Sequence, residues 1–256
     1  MSAHGRHVGA QLASVSSFLP VPLRKSLLRY LGTGKDLAGA AICLLVDRGF
    51  YGESAFAKDD GPFKRAHIRY KTWCSGHGLM SSCPMFTYKS CHAETFAFFD
   101  AKAAQIKMVL LFLADETALA VSSELHTDDE IALAAACFWA LAAWIHCLDH
   151  AGIILTDRQK SNCLHYGRVH LQMYKALALR AVETGAKRWK VRPKMHYLDH
   201  TMREVQSGLN PRFFQCFLDE DYIGKIIRIA SRCHRSKISI NVLRRYMVLL
   251  EQRWSR

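Results

Sequence analysis

An eighteen-residue apolar stretch sets the strongest constraint on what this chain can fold into. Residues 131–148 (IALAAACFWALAAWIHCL) are apolar apart from His146 and approach the length of a membrane-spanning helix. The stretch follows residues 127–130 (TDDE), which have the form of a helix N-cap with acids in the first turn. It ends near Asp149 and His150, without Lys or Arg anchors. This pattern predicts a buried central helix, and no transmembrane segment is expected.

Positive charge is concentrated at the two ends of the chain, whose formal net charge is +13. Residues 1–35 supply +5 and residues 222–256 supply +8. Residues 36–221 hold equal numbers of basic and acidic side chains. A neutral body with basic ends favours a polyanionic partner, either nucleic acid or an anionic membrane. The alternative is a basic protein that has no such partner.

The number and placement of the cysteines indicate the redox state of the compartment in which the protein is found. The nine cysteines are odd in number and scattered through apolar stretches, which does not resemble a disulfide framework. A reducing intracellular compartment is therefore predicted, with the nucleus favoured. The N-terminus has no secretory signal pattern, but its acid-free, Ser- and Arg-containing composition also fits an organelle transit peptide. An ordinary basic helix is the alternative for this segment.

The helical signals predict a mainly α fold, a multi-helix globular bundle. An irregular region of loops or short strands is expected near residues 48–92, which are rich in Gly, Pro and aromatic residues. Residues 156–184 have the pattern of an amphipathic helix capped by Thr156 or Asp157 and stopped by Gly185. Residues 36–47 fit either a helix or a buried strand, because periodicity does not separate the two.

The domain organisation follows from these signals. Residues 1–35 are interpreted as a basic N-terminal segment and residues 36–256 as a single helical domain. Within that domain, residues 219–254 have the pattern of a basic helical hairpin.

The hairpin contains the candidate nucleic-acid-binding residues. Four cations in its first helix are spaced 3, 4 and 3 residues apart and share one helical face, where their mutual repulsion is not offset by a nearby acid. A bound polyanion would remove that repulsion. Two more cations follow in the second helix, whose apolar side contains Leu243 and Met247. The alternatives are a solvated basic face and a helix on a membrane surface. The six candidates are Lys225, Arg228, Arg232, Arg235, Arg244 and Arg245.

A cluster of Cys and His residues has the ligand types that zinc prefers. Its spacing, C-x2-H-x5-C-x7-C-H, gives only two close pairs, and adjacent ligands such as Cys91 and His92 suit a zinc site poorly. Core cysteines and loop histidines are the favoured interpretation, and no metal or cofactor is assigned. The members of the cluster are Cys74, His77, Cys83, Cys91 and His92.

Two similar five-residue motifs occur at residues 146–150 and 196–200. Each places two histidines at positions i and i+4, with an Asp beside them. That geometry can bind a metal, but the Glu of a metalloprotease motif is missing, so structural pairs are favoured. Asp47 and Glu220 are a candidate carboxylate pair for two-metal phosphoryl chemistry. A further strand-borne Asp is not identifiable, and no catalytic residue is assigned.

Residues 192–200 (RPKMHYLDH) resemble the KPKxHxLxH stretch late in eukaryotic transposase-like proteins. As in that family, a loop with aromatics and a Cys follows, at residues 210–221, and leads into Gly224-Lys225. Lys102-Ala-Ala-Gln105 and the apolar helix after it also look similar, so the resemblance covers about residues 95–250. It implies a fragment of a mobile-element protein with nucleic acid, either DNA or RNA, as its partner. The upstream catalytic acids of such enzymes are not recognisable.

The sequence therefore favours a nucleic-acid-binding helical protein without a complete catalytic site, derived from a transposable element. One alternative is a non-catalytic helical scaffold or protein-interaction module. A further alternative is a metal-dependent enzyme that cleaves phosphodiesters.

Overall fold

A computed structural model describes residues 32–56, 58–80, 82–123, 128–213, 229–231, 233 and 238–254. The predicted mainly α fold is confirmed, and the described residues contain no β-strand, only an isolated bridge between Ile154 and Leu209. Seven α-helices are described in full. They are α1 (Gly32–Asp47), α2 (Gly61–Gly76), α3 (Ala103–Val121), α4 (Asp129–His150), α5 (Asp157–Thr184), α6 (Lys194–Glu204) and α7 (Ile238–Trp254).

The central element is α4, which packs against α3 and α5. It begins as its sequence predicts, because the Asp128 carboxylate accepts hydrogen bonds from the backbone N–H groups of Glu130 and Ile131. By length and composition this helix is apolar enough to cross a membrane. In the structure most of it is buried inside the protein, including Phe138, Leu141 and Trp144. The predicted buried central helix is thus confirmed.

The next helix, α5, also has the predicted ends. The Thr156 hydroxyl accepts from the Gln159 backbone N–H, and the Gln159 side chain accepts from the Thr156 backbone N–H, which forms a capping box. Gly185 ends the helix with φ 68°, a left-handed conformation that glycine adopts without steric cost. A hairpin of two long antiparallel helices results, joined by a short connection at residues 151–156.

The region expected to be irregular contains a full helix, α2. The Gly and Pro content predicts loops here, but Pro62 occupies the first turn of the helix, where its missing N–H costs no hydrogen bond. Phe63, Tyr70 and Cys74 then lie on the buried face at helical spacing. Irregular segments flank this helix on both sides. The ambiguous residues 36–47 are helical and belong to α1.

The chain divides after Phe213 into two compact units. The first unit includes α1 to α6, and α1 begins at Gly32, inside the segment predicted as 1–35. The second unit includes α7. The single helical domain over residues 36–256 stays a prediction. The last described member of the hydrophobic core is Val205, and α7 exposes Leu243 and Met247.

One buried histidine makes the stability of the first unit depend on pH. Burial lowers the pKa of His170 to about 4, although the carbonyl oxygen of Cys137 lies 3.1 Å from its Nδ1. An unfolded histidine has a pKa of about 6.5. Between these values the unfolded chain binds more protons than the folded chain. The free energy of unfolding should therefore be unaffected above about pH 6.5 and fall by up to about 3 kcal/mol as the pH approaches 4.

The variant His170→Gln isolates this contribution. Urea unfolding of the wild type and the variant, repeated from neutral pH down to pH 4, should show a weaker pH dependence in the variant. Equal pH dependence in the two proteins would show that His170 does not titrate as described.

Candidate nucleic-acid interface

Two of the six predicted binding residues lie on the described part of the chain. Arg244 and Arg245 are on α7, and both are exposed. The same helix exposes apolar side chains, because Leu243 is 63% and Met247 57% accessible. The apolar side predicted for this helix is therefore not fully buried. The other four predicted residues, Lys225, Arg228, Arg232 and Arg235, lie outside the described residues.

The structure reveals a second basic surface, on α5. Every third or fourth residue of this helix faces solvent from Arg158 to Val182, and we call these residues the outer face of α5. Residues 158–182 contain no acid. Asp157 and Glu183 lie just beyond the two ends. The outer face consists of Arg158, Ser161, His165, Arg168, Gln172, Lys175, Leu179 and Val182.

The cations of the outer face differ from the other basic residues of α5. Lys160 forms an ion pair with Asp157, and Arg180 forms one with Asp129. Arg158, Arg168 and Lys175 form no ion pair with any described residue. At a rise of about 1.5 Å per residue, these three charges span about 26 Å along the helix. The outer face is thus an extended row of cations without anionic partners in the described structure.

The opposite side of α5 holds the helix in place. Cys163, Tyr174 and Leu177 are buried there, and the Tyr174 hydroxyl donates a hydrogen bond of 2.8 Å to the carbonyl oxygen of Lys190. Gly167 lies so close to α6 that a Cβ atom would come within 2.8 Å of the Met202 sulfur. The outer face is therefore presented by a helix that is fixed along its length.

A buried ionic group, which we call the Glu130 cluster, connects α4 to the segment before α6. Glu130 is 3% exposed, and its carboxylate accepts from Arg48 at 3.2 Å, from Arg188 at 2.9 Å and from the Trp189 indole N–H at 2.8 Å. Arg188 also pairs with Asp47. Asp47, a candidate catalytic carboxylate by sequence, is thus part of an ion pair, and Glu220 lies outside the described residues.

Asp128, which caps α4, also pairs with Arg48. Burial acts to raise the pKa of this carboxyl group, but the hydrogen bonds from Arg48 and from the backbone of Ile131 outweigh it, so the pKa lies below its usual range. Asp128 therefore stays ionised at neutral pH and adds a fixed negative charge beside Arg48.

The three thiols of the candidate zinc cluster, Cys74, Cys83 and Cys91, are buried. Burial raises the pKa of the Cys83 and Cys91 thiols to about 12. His77 Nδ1 lies 2.7 Å from the carbonyl oxygen of Trp73, and the His92 ring stacks on Phe98. Among the described residues, no three His, Cys, Asp or Glu side chains are arranged to hold a metal ion.

The paired histidines stay within their own helices. His196 and His200 approach each other at 2.8 Å between their Nε2 atoms, and His150 Nδ1 lies 2.9 Å from the carbonyl oxygen of His146. The neighbouring acids already have cationic partners. Asp149 pairs with Lys107 and Arg212, and Asp199 pairs with Arg203.

A cavity of about 380 Å³ lies between α1, α2 and the segment before α6. Its lining mixes cations with acids and aromatic rings. Lys58 pairs with Glu94, Arg188 pairs with Asp47, and Lys187 donates to the carbonyl oxygen of Glu94 at 3.5 Å. Since these cations already have partners, the cavity is a weaker anion site than the outer face of α5.

The segment that resembles transposase-like proteins has a structural role at its first residue. The Arg192 guanidinium forms an ion pair with Asp36, with two nitrogen–oxygen distances of 2.7 Å. Leu198 is fully buried in α6. Comparison with protein-family models gives no match, and comparisons with curated proteins and with solved structures give none either. The family resemblance therefore stays a prediction.

The outer face of α5 was missed at the level of sequence, although a signal for it exists. Residues 158–182 carry five Lys or Arg and no acid. The net charge summed over residues 36–221 is zero, because acidic residues elsewhere in that range offset the positive charge of residues 158–182. Charge counted within a single helix would have identified it.

Proposed function

We propose that this protein binds nucleic acid through the outer face of α5. The basic C-terminal residues, which include Arg244 and Arg245, are a separate candidate surface of the second unit. The observation that carries the proposal is the row of Arg158, Arg168 and Lys175, which lies on an acid-free helix face. A nucleic acid offers a matching row of negative charges, about one per 1.7 Å of duplex. Phosphate contacts of this kind give affinity without sequence preference.

Counterion release explains why such a surface would bind. Each phosphate that a Lys or Arg neutralises releases a condensed cation, so the affinity falls as salt rises. The mutual repulsion of like charges on the helix also decreases when phosphates lie against them. Both effects require exposed cations that are not already paired, which describes the three cations of the outer face.

Fluorescence anisotropy with a short labelled DNA duplex, and with an RNA of the same sequence, tests the proposal. We expect Arg168→Ala/Lys175→Ala to weaken binding about tenfold, or about 1.4 kcal/mol, at a fixed salt concentration. The slope of log affinity against log salt should decrease by about 2 if both side chains contact phosphates.

The matched control is Lys64→Ala/Lys89→Ala, which removes two exposed cations away from α5. This variant has the same net charge as the test variant, so a nonspecific charge effect would weaken both equally. Wild-type affinity in the control supports the outer face of α5 as the interface. The absence of salt-dependent binding by the wild-type protein would refute the proposed function.

A second candidate is a protein-interaction module, the scaffold considered from sequence. It is favoured by the apolar side chains that α7 exposes beside its arginines, including Leu243, Met247 and Val248. Such a partner would bind with little dependence on salt, so the same salt series separates the two candidates.

The proposed context is intracellular, with the nucleus favoured, and the proposed origin is a transposable-element protein. Residues 192–200 support that origin by their resemblance to transposase-like proteins.

A further inference from the structure

Two cysteines lie against each other where α4 and α5 form their hairpin. The Cys163 thiol donates to the sulfur of Cys147, and the two Sγ atoms are 3.0 Å apart. Cys147 is in the last turns of α4 and Cys163 in the second turn of α5. A disulfide requires a sulfur–sulfur distance of about 2.0 Å, so the side chains need to approach by about 1 Å.

The two thiols differ in access and in acidity. Cys147 is partly exposed, whereas Cys163 is fully buried. The hydrogen bond from Cys163 lowers the pKa of Cys147, despite the opposing effect of burial. The same contact and burial raise the pKa of Cys163. Because the thiolate is the reactive form, Cys147 is the nucleophile of the pair.

We propose that Cys147 and Cys163 form a reversible disulfide that joins α4 to α5 when the cell becomes oxidising. The oxidant is a low-molecular-weight disulfide of the glutathione class. The Cys147 thiolate attacks one sulfur of oxidised glutathione, which forms a mixed disulfide and releases one glutathione thiolate. Cys163 then loses its proton, attacks Cys147 Sγ and releases the second glutathione thiolate. Two protein thiols are oxidised, and one glutathione disulfide is reduced to two thiols.

The other cysteines of the first unit lack this arrangement. Cys137 is fully buried, and its sulfur lies beside His170 Nδ1 at 3.3 Å. Cys43 lies 4.0 Å from the carbonyl oxygen of Cys91, and both residues are buried. Within the described part of the chain, Cys147 and Cys163 combine direct sulfur contact with an accessible member.

The disulfide would close a short loop across the hairpin connection. Cross-links stabilise a protein by restricting its unfolded chain, and a loop of this length gives a substantial effect. The thermal midpoint of the oxidised protein should therefore rise by roughly 5–10 °C relative to the reduced protein.

The test equilibrates the full chain with increasing ratios of oxidised to reduced glutathione, followed by alkylation of free thiols and peptide mapping by mass spectrometry. We expect a peptide pair linked through Cys147 and Cys163. Cys163→Ser should stop at a glutathione adduct on Cys147. Cys147→Ser should give neither product, because Cys163 is buried.

Cys233→Ser removes a half-buried cysteine elsewhere and serves as the control, which should retain the linked pair. The proposal is overturned if both thiols of the wild type remain alkylatable at the most oxidising ratio, or if Cys147 pairs with another cysteine. Mass spectrometry needs no bound nucleic acid, so the result is independent of the proposed function.

Discussion

Glu130→Ala is expected to lower the free energy of unfolding by about 3–5 kcal/mol. The glutamate is buried and accepts hydrogen bonds from Arg48, Arg188 and Trp189. Its removal leaves Arg188, whose side chain is 11% exposed, with Asp47 as its remaining carboxylate partner. It also leaves the Trp189 indole N–H buried without its acceptor, which adds a desolvation cost. Urea denaturation at neutral pH measures the loss.

Glu183→Ala is the control for this change, because it removes an exposed acid just beyond the outer face of α5. Its effect should stay within about 0.5 kcal/mol. A double-mutant cycle with Arg188→Ala adds a sharper test, since groups in one network are not additive. If the two single effects simply add, the Glu130 cluster does not act as a coupled unit.

Gly39→Ala is expected to cost about 3 kcal/mol or more, through a steric clash in the core. A Cβ atom at this position of α1 would lie 2.4 Å from the Cα and carbonyl carbon of Phe98. The obstacle is backbone, which cannot rotate away like a side chain. Backbone hydrogen bonds fix this segment on both sides, from Ala97 to Lys187 and from Phe99 to Lys35. Thermal unfolding of the purified variant, compared with the wild type, measures the effect.

Gly76→Ala is the matched substitution at a site without neighbours. Gly76 ends α2, and nothing lies within 4 Å of the position of its Cβ atom. Here the substitution should be neutral or stabilising by up to about 1 kcal/mol, because alanine restricts the unfolded chain. Equal effects of the two substitutions would show that α1 does not approach Phe98 as closely as described.

Local sequence signals predicted the parts of the fold that depend on neighbouring residues. Thr156 and Gly185 delimit α5 because capping is a matter of a few consecutive backbone groups. The acids before residue 131 start α4 for the same reason. The loop predicted around Gly61 and Pro62 is instead the start of α2, because a glycine–proline pair fits both a loop and the first turn of a helix.

The candidate sites depend on contacts that no local pattern contains. Glu130 meets Arg48 and Arg188, which are 82 and 58 residues away in the chain. Cys147 and Cys163 meet because a short connection folds α5 back along α4. The acid-free run at residues 158–182 marks α5 as basic in the sequence, but which of its cations face solvent follows from what packs on the other side of the helix. For the hairpin at 219–254, the described residues are its second helix, α7, and residues 229–231 and 233 of its first part.

The ion pair between Arg192 and Asp36 can form only late in the synthesis of the chain on the ribosome. The two residues are 156 positions apart. Synthesis at about 5–20 residues per second separates their emergence by about 8–30 s. Asp36, which is 2% exposed in the folded protein, lacks this partner throughout that interval. The ion pair at the start of α1 therefore forms only after Arg192 has emerged.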